Sequence, residues 1–460
     1  MGTNYRNYSP DQMHLLPPSP QDWLPEGHLV YQVHDVVQAL DLGAIYRAHA
    51  KDPRGAPGFH PLMMVSILIY AWANRVYSSR RISRLCLEDL GGRYLSAGHH
   101  PDFRTISLFQ LTHGESLADL FVQSVHLCQR AGMVGLNVVA VDGSKVEANA
   151  SKHQAMSYGR MNEKEEQLRQ EIVKLQHRGQ QQDADEDLLF GKDKAGFDLP
   201  AELKRHETRL AHILSAKKAL EAEAVEAALA AEAARKAKEC EQQKPIRGRK
   251  PKPPIEAKPK DKAQRNFTDP ESRIMKAASG AFIQGYNGQA AVDDTHQVIV
   301  ACELTNQASD SPHFIPVLEQ VQKNTGEAPQ KVVADAGYFS ETNIEHDLSK
   351  RTRFYVSPSR LKHGSGEMPD APTGQAQTKA QRLADEMRLL LRTKDGHDVY
   401  AKRKKIVEPV FGQIKGCPGS PGFTHFLRRG LEKARQEWQW ACATHNLLKY
   451  LRHQCAATPA

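Results

Sequence analysis

The sequence predicts an α/β protein in which an all-helical N-terminal domain precedes a layer of strands and helices. Three observations support this prediction. Apolar side chains recur at helical intervals from residue 28 to residue 130. Short apolar runs rich in β-branched residues, at 136–141, 297–304 and 331–334, then alternate with helical patterns. Residues 151–269 change abruptly to a Glu-, Lys-, Gln- and Ala-rich composition, which predicts a helical insertion that is in part disordered.

The composition indicates a globular protein with a polyanionic partner. The chain has 460 residues, of which 40% are hydrophobic, enough for two or three domains. Its net charge of +8 favours nucleic acid, although a basic excess is also compatible with solubility alone. The seven cysteines never form a CxxC pair, which argues against a disulfide framework and a zinc ribbon and fits a reducing cytoplasm. There is no signal-peptide pattern, and the longest apolar run, 62–73, is too short for a bilayer, so we expect a cytoplasmic protein.

The N-terminal domain, predicted over residues 1–135, consists of helices after a proline-broken start. Its most apolar helix covers 61–77, with Pro61 as a suitable first residue. Further helical patterns cover 34–49, 78–90 and 105–130. Four arginines cluster nearby, at Arg75, Arg80, Arg81 and Arg84. They are compatible with a helix-turn-helix-like role in DNA binding, and a solvated basic face is the simpler alternative.

The insertion at 151–269 predicts two helices followed by a basic linker. Apolar residues at three-, four- or seven-residue steps over 161–178 and 201–239 favour a protruding antiparallel hairpin or an oligomerisation element. A proline-broken basic segment follows and cannot form a core. Within it, Arg247-Gly248-Arg249 is similar to an AT-hook, which makes Arg247 and Arg249 candidate contacts to the DNA minor groove. A flexible solvated linker is an equal alternative.

Two predicted strands of the α/β layer end at an aspartate. The run LNVVAV at 136–141 is followed by Asp142, and KVVA at 331–334 is followed by Asp335. Either aspartate is also compatible with a simple turn. A hairpin over 280–304, helices over 312–323 and 340–350, a strand at 353–356 and helices over 381–393 and 430–452 complete the prediction.

A helix predicted over Tyr400–Lys415 carries a single glutamate among cations. The helical step of about 100° per residue places four side chains on one side, namely Tyr400, Lys404, Glu408 and Lys415. A functional carboxylate fixed beside cations is one interpretation, and a surface ion pair between Lys404 and Glu408 is the other. Pro409 would clash with the carbonyl of Lys405 in a continuous helix, so we expect a kink or a new helix start there.

Asp142, Asp335 and Glu408 are hard oxygen ligands from distant parts of the chain. Magnesium prefers such ligands, and two ions can activate an attacking hydroxyl and stabilise the leaving oxygen of a phosphodiester without a protein nucleophile. The sequence has no GxxxxGK[ST] loop, HExxH, GxSxG elbow or dinucleotide-binding fingerprint. ATPases, zinc peptidases, esterases and dehydrogenases therefore lack local support.

Four motifs occur in a fixed order along the chain. They are VVAVDGSKVEANAS at 138–151, GAFIQGYNGQAAVDD at 280–294, VVADAGYFS at 332–340 and Y-x-x-R-x-x-x-x-E-P-V-F-G-x-I-K at 400–415. Together they resemble the bacterial insertion-sequence transposases of the DDE type. HHPDFRTIS at 99–107 and the closing FLRRGLEKARQEWQWACATHNLLKYL are similar to the N-terminal domain and the C-terminal helix of the same enzymes.

The resemblance implies an RNase H-like catalytic domain over 136–460, interrupted by the insertion. It implies a catalytic and metal-binding triad of Asp142, Asp335 and Glu408, with Mg²⁺ as the ion or Mn²⁺ in its place. The family's helix motif of Tyr, Arg, Glu and Lys is matched by Tyr400, Arg403, Glu408 and Lys415. Arg403 lies one residue farther from the glutamate than the commonest spacing, and Lys404 stands at that spacing, so either cation is a candidate phosphate contact.

The implied activity is two-metal cleavage of DNA at element ends, followed by attack of the freed 3′-hydroxyl on target DNA. The implied partners are double-stranded DNA, at terminal inverted repeats and at the target, and further copies of the chain assembled on it, with no membrane. We therefore expect a nucleoid-associated location. Two alternatives remain open, a nuclease or junction resolvase that cuts without joining, and a DNA-binding descendant that no longer catalyses.

Overall fold

The computed structural model describes residues 19–49, 58–190, 199–242, 253–359, 378–416 and 422–457. Two of the predicted DNA contacts, Arg247 and Arg249, lie outside these residues. No helix in the described ranges is both long and apolar enough to cross a membrane.

Helices form the N-terminal part of the described chain, as predicted. They are α1 (Pro20–Trp23), α2 (Leu29–Gln38), α3 (Gly43–His49), α4 (Pro61–Ala73), α5 (Ser79–Glu88), α6 (Leu90–Leu95), α7 (Phe103–Thr112) and α8 (Gly114–Arg130). Pro61 is the first residue of α4, and nearly all of this helix is buried because its sequence is apolar on every side.

The structure divides two of the predicted helices. The pattern over 34–49 becomes α2 and α3, because the chain turns at Asp41, whose carboxylate accepts a hydrogen bond from the Gly43 amide at 2.8 Å. The pattern over 105–130 becomes α7 and α8, which meet at His113. Apolar spacing continues across both breaks, so periodicity alone could not locate them.

Eight strands are present in the described residues. They are β1 (Val138–Glu147), β2 (Ala155–Ser157), β3 (Gln264–Asn266), β4 (Arg273–Lys276), β5 (Phe282–Asp293), β6 (Ile299–Thr305), β7 (Lys331–Ala334) and β8 (Arg353–Val356). Six of them form one mixed sheet of order β4-β5-β1-β7-β8, with β6 also paired to β5. The pairs made by β5 are antiparallel, whereas β1, β7 and β8 run parallel. The predicted α/β layer is confirmed.

The insertion forms an antiparallel helical hairpin with its own small core. It consists of α9 (Tyr158–Phe190) and α10 (Leu199–Gln242). Their shared core contains Tyr158, Met161, Leu168, Ile213, Ala216 and Leu220. An ion pair of 2.9 Å between Lys217 and Glu165 adds a polar contact. At the base of the hairpin, β2 pairs with β3.

In the described part of the chain, five further helices pack around the sheet. They are α11 (Phe314–Thr325), α12 (Glu341–Ile344), α13 (Lys379–Arg392), α14 (Lys394–Lys415) and α15 (Leu431–Ala457). α14 packs against β1, β5, β7 and β8, and α15 packs against β6 and against the N-terminal helices α4 and α8. The buried side chains of the N-terminal helices and of the sheet consequently form one continuous core. A separate domain over 1–135 stays a prediction.

Gly288 on β5 is a point of close contact with α15. A Cβ atom at this position would lie 2.9 Å from the ring of Trp438. That ring is fully buried, and its Nε1 donates to the carbonyl of Gln289 at 3.1 Å, so it has no room to withdraw. We expect Gly288→Ala to lower the free energy of unfolding, measured in urea, by about 1–3 kcal/mol.

The matched control for this prediction is Gly412→Ala on α14. Nothing lies within 4 Å of a Cβ atom added there. Helix propensity then predicts no loss and a gain of up to about 1 kcal/mol. Equal destabilisation by the two substitutions would contradict the packing argument.

Candidate active site

The parallel pairing of β1 with β7 places two predicted site residues side by side. The last pair of this ladder is Val141 with Ala334. Asp142 and Asp335 follow directly at the same edge of the sheet, and both are half-buried. The apolar residues before them are fully buried in both strands. The packing of the core therefore places the two carboxylates at the same edge of the sheet.

The sequence predicted a strand that ends at Asp142, and the structure contradicts this prediction for β1. It continues to Glu147, because β5 pairs with it up to Gly285. Asp142 thus lies within a strand that is held along one edge by β5, just beyond the end of the ladder with β7. This position fixes its backbone and leaves its side chain half-buried beside Arg403.

Asp142 accepts hydrogen bonds from two donors. Nη1 of Arg403 lies 3.1 Å from its Oδ2, and the Gly143 amide donates to its Oδ1 at 2.8 Å. Burial nevertheless raises the pKa of Asp142 to about 6, and the charges of Asp335 and Asp310 act in the same direction, against Arg403. Arg403 therefore offsets only part of the combined effect of burial and the two neighbouring carboxylates on the pKa of Asp142.

Asp335 is oriented by the turn that follows β7. Its carboxylate accepts a hydrogen bond from the Gly337 amide at 2.8 Å, at the start of a short 3₁₀ turn over Ala336–Tyr338. A Cβ atom at Gly337 would lie 2.9 Å from Oδ1 of Asp335. The Ala-Gly sequence after the strand is therefore what lets this carboxylate fold back onto the turn.

α14 lies across this edge of the sheet as one continuous helix. It begins at Lys394, earlier than predicted, because the Thr393 hydroxyl accepts from the Gly396 amide at 3.0 Å and caps the helix. Of the two expectations at Pro409, a new helix start is wrong, since the helix continues through it to Lys415, and a kink stays a prediction.

Three predicted DNA contacts on α14 turn toward the sheet. Arg403 contacts Asp142. The Tyr400 hydroxyl interacts with Ser357 and Arg403, and burial raises its pKa. Nζ of Lys415 donates to the carbonyl of Lys145 at 2.6 Å, and burial lowers the pKa of Lys415 to about 8, with the charge of Lys145 adding to the effect.

Lys404 and Glu408, in contrast, are exposed on α14. Within the described residues no ion pair joins them. Nor do three His, Cys, Asp or Glu side chains come close enough in the described ranges to hold a metal ion. The structure thus brings Asp142 and Asp335 together and leaves Glu408 on the adjacent helix, outside that pair.

Sequence analysis missed a third aspartate, Asp310, which follows β6. Its Oδ1 accepts from Nζ of Lys145 at 3.0 Å, from Nδ2 of Asn287 at 2.7 Å and from Nε2 of Gln289 at 2.8 Å. Lys145 lies three residues after Asp142 in β1, so the two side chains leave opposite faces of the sheet. Asp310 therefore supports β1 from behind the Asp142–Arg403 pair.

Gly143 makes this support possible. A Cβ atom there would lie 2.7 Å from Oδ1 of Asp310 and 2.4 Å from Nε2 of Gln289. The sequence carried one signal of this network, because the amide side chains of Asn287 and Gln289 stand two residues apart in β5. Both are fully buried. Buried amides at that spacing indicate a polar partner on the same face.

The N-terminal arginine cluster forms a separate basic surface. The guanidinium groups of Arg80 and Arg104 lie 5.1 Å and 5.5 Å from the centre of the Phe103 ring. Arg81 is exposed beside them, whereas Arg84 pairs with Glu88 at 3.1 Å. The clustered cations thus belong to α5 and to the start of α7, rather than to a single helix.

The site combines two adjacent carboxylates with arginine and lysine side chains at the edge of a mixed sheet, and the comparisons with known proteins indicate an enzyme that processes nucleic acid. One family model, described as Transposase DDE domain, matches residues 244–447, and a second, described as Transposase domain (DUF772), matches residues 18–111. No curated protein and no solved structure matches the chain.

The chain belongs to the insertion-sequence transposases of the DDE type. The resemblance inferred from its motifs is thereby confirmed. Asp335 and Glu408 lie inside the match to the Transposase DDE domain, whereas Asp142 lies between the two matched ranges.

The raised pKa of Asp142 predicts how stability depends on pH. An acid whose pKa is higher in the folded than in the unfolded chain destabilises the fold when it is ionised. This penalty is absent below the ordinary pKa of 3.8 and complete above about 6. We expect metal-free Asp142→Asn to be more stable than the wild-type chain at pH 8, by roughly 3 kcal/mol at most, and equally stable near pH 4.

Thermal unfolding at both pH values, in the presence of a chelator, would measure this difference. Asp119→Asn is the control, because Asp119 is exposed on α8 and its substitution should change stability at neither pH. A less stable Asp142→Asn chain at pH 8 would show that the ion pair with Arg403 outweighs the burial of the carboxylate.

Proposed function

We propose that the chain is an RNase H-like DDE transposase that cuts DNA at the ends of an insertion element and joins the freed end to target DNA. The observation that carries this proposal is the register of β1 and β7, which puts Asp142 beside Asp335 at an edge crossed by α14. The Transposase DDE domain match gives the class of enzyme. The two reaction steps are what membership of this family implies.

The topology of the sheet supports the RNase H-like part of the proposal. An antiparallel meander, β6-β5-β1, continues into two parallel strands, β7 and β8. α11 connects β6 to β7. The first aspartate lies on the central strand and the second lies at the end of its parallel neighbour, where ligands commonly bind in open α/β sheets.

Asp142, Asp335 and Glu408 would hold Mg²⁺, or Mn²⁺ in its place. All three are hard oxygen ligands, which suit these ions. The charge of Asp335 contributes to the raised pKa of Asp142, and a cation between the two carboxylates would remove this repulsion. Bound ions would activate an attacking hydroxyl and stabilise a leaving oxygen. To complete the site, the exposed Glu408 carboxylate must turn toward the pair.

Arg403 and Lys404 take different roles in this proposal. Arg403 partly offsets the charge of Asp142 and interacts with Tyr400. Lys404 is exposed on the same helix, where it can contact a DNA phosphate. Lys415, whose buried ammonium has a lowered pKa, would gain most from an approaching phosphate.

The proposed reaction uses two in-line displacements at phosphorus. In the first, a water oxygen bonds to the phosphorus at the element end, and the bond to the 3′-oxygen breaks, which frees a 3′-hydroxyl. In the second, that hydroxyl bonds to a target phosphorus and the target's own 3′-oxygen leaves with the proton. Each step forms one phosphorus–oxygen bond and breaks one, so no nucleotide cofactor is needed.

End binding is assigned in this proposal to the N-terminal helices. The exposed surface of Arg80, Arg81 and Arg104 around Phe103 offers three cations to a phosphate backbone. The match to the Transposase domain (DUF772) covers this surface. Assembly of several chains on the two element ends is part of the same proposal.

Glu408→Gln removes the charge of the proposed third ligand and keeps its volume. We expect Mg²⁺-dependent cleavage of DNA carrying element ends to fall by at least about 100-fold, as for loss of a group that stabilises the transition state. Binding to the same DNA should persist, because the substitution removes no cation. Asp335→Asn should behave in the same way.

Glu327→Gln, at an exposed position after α11, is the control and should cleave like the wild-type chain. Gel assays of cleavage and of binding, run on the same preparations, would measure both quantities. Cleavage that is equal in wild type and Glu408→Gln would remove Glu408 from the site.

A donor with a 3′-hydroxyl end and a supercoiled target should yield covalently joined products with the wild-type chain. A donor that ends in a 2′,3′-dideoxynucleotide should yield none, because the second displacement needs the hydroxyl. Cleavage without joining would indicate a nuclease or resolvase. Binding without any metal-dependent cutting would indicate a non-catalytic descendant.

A further inference from the structure

Pro409 leaves one backbone carbonyl of α14 without its usual partner. Proline has no amide hydrogen, so the carbonyl of Lys405, four residues earlier, cannot accept the normal intrahelical hydrogen bond. The proline ring also pushes that carbonyl away from the helix axis. The affected turn is the one that carries Glu408, which directly precedes Pro409.

Gln297 supplies the missing donor from the sheet. Its Nε2 donates to the carbonyl of Lys405 at 2.9 Å. Gln297 lies in the turn between β5 and β6 and adopts a left-handed backbone conformation, with φ of 60°. A residue other than glycine rarely adopts this conformation, so the surrounding contacts must maintain it.

Two residues of α15 hold Gln297 in place. Nζ of Lys449 donates to its Oε1 at 2.8 Å, and Nε2 of His445 lies 3.1 Å from its carbonyl oxygen. Burial lowers the pKa of His445 to about 4, so the ring is neutral and Nε2 carries the donated proton. The Gln297 amide is thereby oriented with its nitrogen toward α14.

The same turn contacts α14 a second time. Oδ2 of Asp294 lies 3.2 Å from Nζ of Lys402, about one helical turn before Lys405. Asp294 directly follows β5, whose residue Ala290 pairs with Asp142. The strand that holds Asp142 therefore continues into the turn that holds the Glu408 segment of α14.

We propose that Gln297 is a positioning residue for Glu408, because it replaces the hydrogen bond that Pro409 removes and ties that turn of α14 to the hairpin that supports Asp142. This inference rests on the proposed role of Glu408 in the metal site. It explains how a proline is accommodated in the interior of α14 directly after the glutamate. It also gives a function to the strained backbone of Gln297.

A double-mutant cycle between Gln297 and Pro409 tests this inference. Gln297→Met removes the donor and keeps a similar volume. Pro409→Ala restores an amide hydrogen, which can bond to Lys405 within the helix and makes the outside donor unnecessary. The four chains are the wild type, the two single variants and the double variant.

The first readout is the Mg²⁺ concentration that gives half-maximal cleavage. We expect Gln297→Met to raise it roughly fivefold, the equivalent of one hydrogen bond of ordinary strength, when Pro409 is present. In the Pro409→Ala background the same substitution should leave it unchanged. A merely structural contact would alter stability without moving the metal requirement.

The second readout is thermal unfolding of the four metal-free chains, which does not depend on activity. Gln297→Met should lower the unfolding temperature more when Pro409 is present than when alanine replaces it. Gln129→Met is the matched control, since Nε2 of Gln129 donates to the carbonyl of Thr325 at 3.0 Å, far from α14 in sequence. Its effect should be the same in both backgrounds.

The two readouts separate this inference from the proposed function. Equal effects of Gln297→Met in both backgrounds, an unchanged metal requirement, or an inactive Pro409→Ala chain would overturn the positioning role. A wild-type chain that does not cleave would overturn the proposed function. Even then, the unfolding cycle would decide whether Gln297 replaces the missing partner of Lys405.

Discussion

The structure depends on one pairing, the parallel ladder between β1 and β7. Val141 and Ala334 close this ladder, and the two carboxylates of the site come next. A slip of one residue would turn one of them to the opposite face of the sheet, away from α14. The register is set by the fully buried apolar residues before them, so hydrophobic packing, rather than the charges, decides where the two carboxylates lie.

The negative charge of Asp142 destabilises the folded chain. Burial and two neighbouring carboxylates oppose ionisation of Asp142, and only part of this effect is offset by Arg403. β1 is supported on the other face of the sheet, where Asp310 accepts hydrogen bonds from Lys145, Asn287 and Gln289. Asp142, whose ionisation its surroundings oppose, thus lies on a rigid strand. Groups with such shifted pKa values are common at sites that bind a ligand.

The sequence predicted the residues of this site that directly follow short apolar strands. Asp142 and Asp335 stand directly after β-branched runs, and the motif order identified the family. The sequence did not reveal the roles of Asp310 and Gln297. Each lies in a loop, and its partners are more than a hundred residues away or on another strand. Pro409 misled for a related reason: local rules forbid it inside a helix, and the donor that compensates for it comes from the β5–β6 turn.

The narrow base of the insertion has a consequence for how this protein can change. Ser157 and Gln264 are paired residues of the β2–β3 ladder, so the chain leaves and returns through neighbouring backbone positions. Within the described residues between them, α9 and α10 pack on a small core of their own. Evolution can therefore lengthen, shorten or exchange this module without moving the two ends that the sheet must join. The sheet and the hairpin can follow separate histories within one gene.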